Sequence, residues 1–210
     1  MAKMEELIKQ ALEQSKQRNF VESVELAINL KDVDLSIPKN RIDEEILLPN
    51  GRGKEVKVGL FGTPEMVLKA KGVADYIITE EEIEKLAEDK KRAKKLANEV
   101  QFFVAEAPLM PLIGKRLGIY LGTRGKMPKP IPPGADPKPL INTLKKSVRA
   151  RSKDRRTFHV VIGTREMSPE QLAQNADAVL KRVYSKLERG KMNVESVYVK
   201  TTMGKSVRLM

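Results

Sequence analysis

Cysteine and tryptophan are absent from this 210-residue sequence, histidine occurs once, and aromatic residues make up only 4% of the chain. Without cysteine there is no disulfide framework, no thiolate nucleophile and no zinc–cysteine site. The lone histidine, His159, closes two-histidine metal sites and paired-histidine acid–base chemistry to a single chain. Long apolar runs are missing too. No stretch of about 18 apolar residues occurs, and the opening Met1-Ala2-Lys3-Met4-Glu5-Glu6 has no apolar secretory core. The expectation is a soluble, cytoplasmic protein with no membrane partner. Acidic residues are under-represented, 28 against 40 basic, which leaves a net charge of +12 and a pI near 9.8. Such a surface suits a polyanion.

Hydrophobic periodicity divides the chain. Met4, Leu7, Ile8, Ala11 and Leu12 form one stripe of a helix expected over residues 3–17. Val24, Leu26, Ile28 and Leu30 then alternate with Ser23, Glu25 and Asn29, which predicts a half-buried strand over residues 20–30. A second strand is expected over 44–48, before the turn-forming cluster Pro49-Asn50-Gly51-Arg52-Gly53. Beyond that cluster, short wholly apolar strands at 56–61, 75–78 and 101–104 alternate with helices, as a parallel sheet covered on both faces requires. Thr63-Pro64-Glu65 and Thr79-Glu80-Glu81-Glu82 are helix starts, and residues 80–95 read as one solvated amphipathic helix. Further helices are expected over 111–117 and 139–150, with a glycine-, proline- and lysine-rich loop at 123–137 between them. Half-buried alternation returns at 157–164, followed by a capped helix at 168–188 and a last strand at 194–200.

The economical reading is α+β with an α/β insertion, in two domains. Residues 1–50 and 154–210 would form a discontinuous, open α+β domain of the split β-α-β kind. Residues 51–153 would form an inserted, three-layer, Rossmann-like α/β domain. Glycines 51 and 53, with the second crossing near Lys153, suggest a two-strand hinge about which the domains rotate.

Thirteen basic residues and two acids lie between Lys115 and Arg156. Within that stretch Gly122-Thr123-Arg124-Gly125-Lys126-Met127-Pro128-Lys129-Pro130 reads either as a solvated linker or as a stiff loop that lies on phosphates, with Arg124, Lys126 and Lys129 as contacts. Near the end of the chain, Val199-Lys200-Thr201-Thr202-Met203-Gly204-Lys205 hands a strand over to small polar residues. That suits a tight hairpin, or a surface offering hydroxyls, a polarizable methionine and close backbone approach to RNA. Phe20 fits a core staple or a stacking platform. Glu22 and Glu25 on the polar strand face fit solvated charges or acceptors for base amino groups and 2′-hydroxyls. His159 reads as structural rather than catalytic. Val58-Gly59-Leu60-Phe61-Gly62-Thr63-Pro64 has the outline of a phosphate-holding turn and raises a nucleotide-binding α/β enzyme as the alternative. It lacks both the G-x-x-x-x-G-K-[ST] loop and the G-x-G-x-x-G fingerprint, and no nucleophile–base pair accompanies it. No catalytic residue, metal ligand or cofactor is expected.

Four motifs in order carry a resemblance: Phe20-Val21-Glu22-Ser23-Val24-Glu25, Leu48-Pro49-Asn50-Gly51-Arg52-Gly53-Lys54, Leu121-Gly122-Thr123-Arg124-Gly125-Lys126-Met127-Pro128 and Thr201-Thr202-Met203-Gly204. Together they resemble the family of large-subunit ribosomal protein number one, the lateral stalk protein, in its archaeal form. The resemblance implies a ribosome-associated protein, monomeric when free. Its outer domain, made from both termini, would grip a compact fold of large-subunit ribosomal RNA beside the exit site. It would assist release of deacylated transfer RNA and repress its own messenger RNA. The family's contact patch falls here on Phe20, Glu22, Ser23, Glu25, Ser196, Thr201, Thr202, Met203 and Gly204, with His159 nearby. Bacterial members usually place proline after Thr-Thr-Met-Gly. Lys205 stands there in this chain, so the turn is expected to be looser, with Lys205 as a further candidate phosphate contact.

Overall fold

The computed structural model describes residues 2–210. Along the chain run α1 (Ala2–Glu13), β1 (Ser23–Leu30), β2 (Asp43–Leu47), β3 (Val58–Phe61), α2 (Pro64–Ala70), β4 (Tyr76–Ile78), α3 (Glu80–Glu88) and α4 (Lys90–Glu99). There follow β5 (Phe102–Glu106), α5 (Met110–Gly122), β6 (Lys129–Ile131), α6 (Lys138–Lys145), β7 (Ser147–Arg151), β8 (Thr157–Thr164), α7 (Pro169–Lys186), β9 (Val194–Thr201) and β10 (Val207–Arg208). Two compact units result: residues up to Lys54 together with Lys146–Met210, and Glu55–Lys145.

In the first unit, β1 is the central strand of an antiparallel sheet ordered β10-β9-β1-β8. Its alternation is literal: Val24, Leu26, Ile28 and Leu30 are at most 1% exposed, while the residues between them are half-buried. The apolar face, completed by Val160, Ile162, Val197 and Val199, packs against Ile8 and Ala11 of α1 and Leu172, Ala176 and Val179 of α7. Both helices therefore lie on one side. α7 starts with a capping box in which Ser168 Oγ accepts from the Gln171 amide and the Gln171 side chain accepts from the Ser168 amide. Within α7 the wholly buried Asn175 donates to the carbonyls of Gly51 and Ile162, both at 2.8 Å, and accepts from the Asn50 amide at 3.0 Å. Both its donor hydrogens and its oxygen are satisfied, as burial of an amide demands.

The second unit has a parallel sheet ordered β4-β3-β5-β6. Every residue of β3 and β5 is buried. Phe61, Phe103 and Ala105 face α3, α4 and α5, whereas Val58, Leu60 and Val104 face α2 and α6. Helices thus cover both sides.

Several sequence expectations are corrected. The helix over 139–150 stops at Lys145, and Ser147–Arg151 is instead a strand paired with β2. Val148 and Ala150 turn inward while Arg149 and Arg151 reach Asp43 across the ribbon at 2.6 and 3.5 Å, a period of two that the helical reading overlooked. The helix over 80–95 is two helices parted at Asp89, which leaves helical geometry and caps α4 by accepting from the Lys91 and Arg92 amides. α1 ends at Glu13 rather than 17. There Arg165 donates to the carbonyls of Leu12, Ser15 and Lys16 and closes the helix end. β1 begins at Ser23, so residues 20–22 lie outside the sheet. The loop at 123–137 contains β6.

Candidate nucleic-acid interface

With α1 and α7 on one side, the other side of the first unit's sheet is left bare by both helices. Register sets three rows across it. Lys200 and Val161 flank Glu25, Tyr198 and His159 flank Ala27, and Ser196 and Thr157 flank Asn29. Ser23 and Thr202 extend the same face toward the turn that follows β9. Four of the predicted residues, Ser23, Glu25, His159 and Ser196, therefore share one polar surface with Thr202. Glu25 lies 3.8 Å from Lys200 Nζ and 3.9 Å from His159 Nδ1. Ser196 and Thr201 sit at opposite ends of β9, on the order of 16 Å apart at strand rise.

Glu22 is not on that face. It precedes the strand, is 1% exposed, and points into the joint between α1, β1 and the turn after β9. One carboxylate oxygen accepts from the Met203 amide at 3.0 Å and Thr201 Oγ1 at 3.3 Å. The other accepts from Ser15 Oγ at 3.2 Å and Arg165 Nη1 at 3.4 Å. Arg18 Nε stands 3.6 Å away. Burial alone would push this carboxyl's pKa up. The Met203 amide, the Ser15 and Thr201 hydroxyls and the Arg18 charge outweigh it and hold the group below its ordinary value. The carboxylate thus organises the turn from inside instead of meeting a ligand, which corrects the expectation for Glu22. Thr201 is likewise buried, on the helix-covered side.

Around this knot the exposed groups are unusual for their chemistry. Met203 is 60% exposed, Phe20 56% and Val21 49%, apolar surfaces beside polar ones. Phe20 is therefore not a core staple. Thr202 is held by a reciprocal pair with Ser23: its amide donates to the Ser23 carbonyl at 3.0 Å, and its hydroxyl accepts from the Ser23 amide at 3.2 Å. Gly204 is required for space. A Cβ there would collide with Thr201 Oγ1 and lie 3.1 Å from Ser15 Cβ. Lys205, which follows, is exposed.

The basic loop of the second unit behaves differently. Lys126 directs its ammonium inward to the carbonyls of Val100 at 2.6 Å and Ala97 at 2.8 Å. Its burial, with the nearby Arg124 charge, holds its pKa below the usual lysine value. Arg124 donates to Asn98 Oδ1 and the Tyr120 carbonyl, while Lys129 lies half-buried in β6. Lys126 is thus a structural staple and not the phosphate contact that its sequence context suggests. The turn at Gly62-Thr63-Pro64 is closed to phosphate by similar means, because the Thr63 amide donates to the buried carboxylate of Glu106 at 3.0 Å.

Among the described residues no cluster of three acidic or histidine side chains could hold a metal, and no helix is long and apolar enough to cross a membrane. Sequence alternation places Asn29 on the polar face of β1, but neither it nor Thr157, Tyr198 and Lys200 is among the site candidates of the sequence, although strand parity with Glu25, His159 and Ser196 brings all four to the open face. Sequence reasoning also missed Arg18 and Arg165. No local pattern marks Arg165, whose partners lie about 150 positions away.

The fold and this face define a mixed α/β protein that presents hydroxyls on one bare sheet face and exposed apolar side chains and backbone in the segments beside it. Residues 11–205 match the Ribosomal protein L1p/L10e family, and the chain belongs to it. The chain is 60% identical over 202 residues to the large ribosomal subunit protein uL1 of Picrophilus torridus, covering 96% of this chain and 94% of that protein. It is 59% identical over 209 residues to the protein of the same name from Thermoplasma volcanium, covering 100% and 95%. For that of Methanocella arvoryzae the figure is 58% over 206 residues, covering 98% and 97%. These relatives are named as ribosomal proteins and not as enzymes.

Proposed function

We propose that this chain is a structural component of the large ribosomal subunit that binds a folded segment of large-subunit ribosomal RNA. The contact is the bare sheet face and the Thr202–Gly204 turn of the unit built from both chain ends. The single observation that carries this reading is the buried Glu22 knot, which fixes the turn so that Met203 stands exposed beside Thr202, Ser23 and Phe20. Such an arrangement suits recognition of ribose and phosphate shape by hydroxyl, amide and apolar contact, which needs little net charge. The discontinuous RNA-binding domain of residues 1–50 and 154–210 carries about +2 by itself, and the compact unit that contains it, residues 1–54 and 146–210, carries about +8 against about +4 over residues 55–145, so phosphate attraction adds to shape recognition in the same unit. Phe20, Ser23, Glu25, His159, Ser196, Thr202, Met203, Gly204 and Lys205 are its contact residues.

The resemblance of the four sequence motifs to the lateral stalk protein family extends this reading to a place beside the exit site of the ribosome in the cytoplasm. There the protein helps release deacylated transfer RNA, works as a single copy, and also binds its own messenger RNA as a repressor. The test is equilibrium binding of the full chain to its ribosomal RNA segment and to a shuffled RNA of equal length. At physiological salt the ribosomal segment should bind at least about a hundredfold more tightly. Equal affinity for the two RNAs would overturn the reading.

A further inference from the structure

Across the bare face, the row at Asn29 is joined side chain to side chain. Thr157 Oγ1 donates to Asn29 Oδ1 at 2.7 Å, and Asn29 Nδ2 donates to Ser196 Oγ at 2.8 Å. An amide has a fixed polarity, with a carbonyl that only accepts and an NH2 that only donates, whereas a hydroxyl adapts to its neighbour. Asn29, held from both sides, therefore gives its two flanking hydroxyls opposite characters. Thr157 gives its single hydrogen to Asn29, so what it has left to offer is lone pairs. Ser196 receives a hydrogen from Asn29, so its own hydrogen is free to donate. The two oxygens lie in strands that flank β1 on either side, about 10 Å apart at usual strand spacing.

We propose that Asn29 is a positioning residue for RNA recognition: it polarises the row so that Ser196 meets a hydrogen-bond acceptor of the RNA and Thr157 meets a donor. The inference rests on the RNA-binding reading above and deepens it. Opposite Ser196 the RNA presents a phosphate oxygen, a ribose oxygen or a base carbonyl. Opposite Thr157 it presents a 2′-hydroxyl or a base amino group, since phosphates and deoxyriboses carry no donor hydrogen. Ser196 is 6% exposed and Thr157 is exposed, so the donor is reached only by a group pressed closely into the face, and the acceptor is open. Neither Asn29 nor Thr157 is a contact expected from the sequence, and Asn29 itself need not touch RNA.

Asn29→Asp is the decisive substitution because it preserves shape and reverses one bond. A carboxylate at this position still accepts from Thr157 but also accepts from Ser196, which captures the hydrogen that Ser196 would have donated. The experiment is a double-mutant cycle on the full chain, with affinity for the ribosomal RNA segment measured at one salt concentration for wild type, N29D, S196A and N29D/S196A. S196A should weaken binding about tenfold, as should N29D, whereas adding N29D to S196A should cost only about threefold, the residue of its extra negative charge. Thr157→Val, which frees the Asn29 carbonyl without adding charge, should weaken binding about threefold and serves if N29D does not fold. Equal costs of N29D with and without Ser196, or an S196A chain that binds like wild type, would overturn the proposal. Failure of the wild-type chain to prefer ribosomal RNA would instead sink the underlying reading.

Discussion

At the scale of single residues, Glu22 shows how a buried charge can be tolerated. Isolated, a carboxylate in this position would lose several kcal/mol of hydration. Here it accepts hydrogen bonds from a backbone amide, two hydroxyls and a guanidinium, with a second guanidinium close by. Glu22→Gln keeps the shape but turns one acceptor into a donor facing other donors. It should destabilise the chain by about 1–3 kcal/mol in urea unfolding. The effect depends on pH. Because the folded pKa lies below the ordinary 4.5, the unfolded chain takes up the proton first as pH falls. The stabilisation is complete above that ordinary value and is lost as pH drops through the lower, folded one. The gap between wild type and E22Q should therefore be constant above the ordinary 4.5 and narrow as pH falls below it; a gap independent of pH would contradict this account. A separate substitution, Met203→Ala, should leave the melting temperature unchanged and weaken specific RNA binding by about 1–3 kcal/mol, as a lost contact does.

At the scale of elements, the outcome turns on where regular structure stops. The stripe in α1 was visible in the spacing of Leu7, Ile8 and Ala11, but its end was not, because the group that closes it belongs to Arg165. Residues 139–150 misled for a related reason. A helix and a short half-buried strand meet there, and only pairing with β2 brings out the alternation of residues 147–151. The capping box at Ser168 is local in the chain whereas bonds of the buried Asn175 reach residues about 125 positions away, and the two are unequal in consequence. Ser168→Ala should cost about 1 kcal/mol, the usual worth of an N-cap. Asn175→Leu should cost about 3 kcal/mol or more in thermal unfolding, because it leaves the Asn50 amide and the carbonyls of Gly51 and Ile162 without their partner. Comparable losses for the two would refute the ranking.

On the scale of the whole molecule, the unit that carries the proposed recognition surface also carries the larger net charge, about +8 over residues 1–54 and 146–210 against about +4 over residues 55–145. The loop at 122–130 looked like a phosphate clamp because three cations and two glycines read as a ligand-facing arm wherever they occur. Folding turns Lys126 inward to carbonyls and leaves Arg124 bound to Asn98. Lys126→Ala should accordingly lower stability by about 1–3 kcal/mol and leave the salt dependence of RNA binding unaltered. A slope lower by about one unit would restore it as a phosphate contact.

What the sequence determined by itself was whatever depends on neighbours along the chain: the period-two strand at Ser23–Leu30, the buried strands of the parallel sheet, the capped start of α7, the excess of cations and the absence of cysteine chemistry. The four motifs were enough to indicate the family. Only the tertiary structure decided which polar residues would be on show. Glu22 and Glu25 are three positions apart and chemically alike, yet one is enclosed by donors from Ser15, Thr201, Met203 and Arg165 while the other lies on the bare face beside Lys200 and His159. Burial is set by what packs against a residue, and here those atoms come from up to 181 positions away. No pattern of near neighbours contains that information.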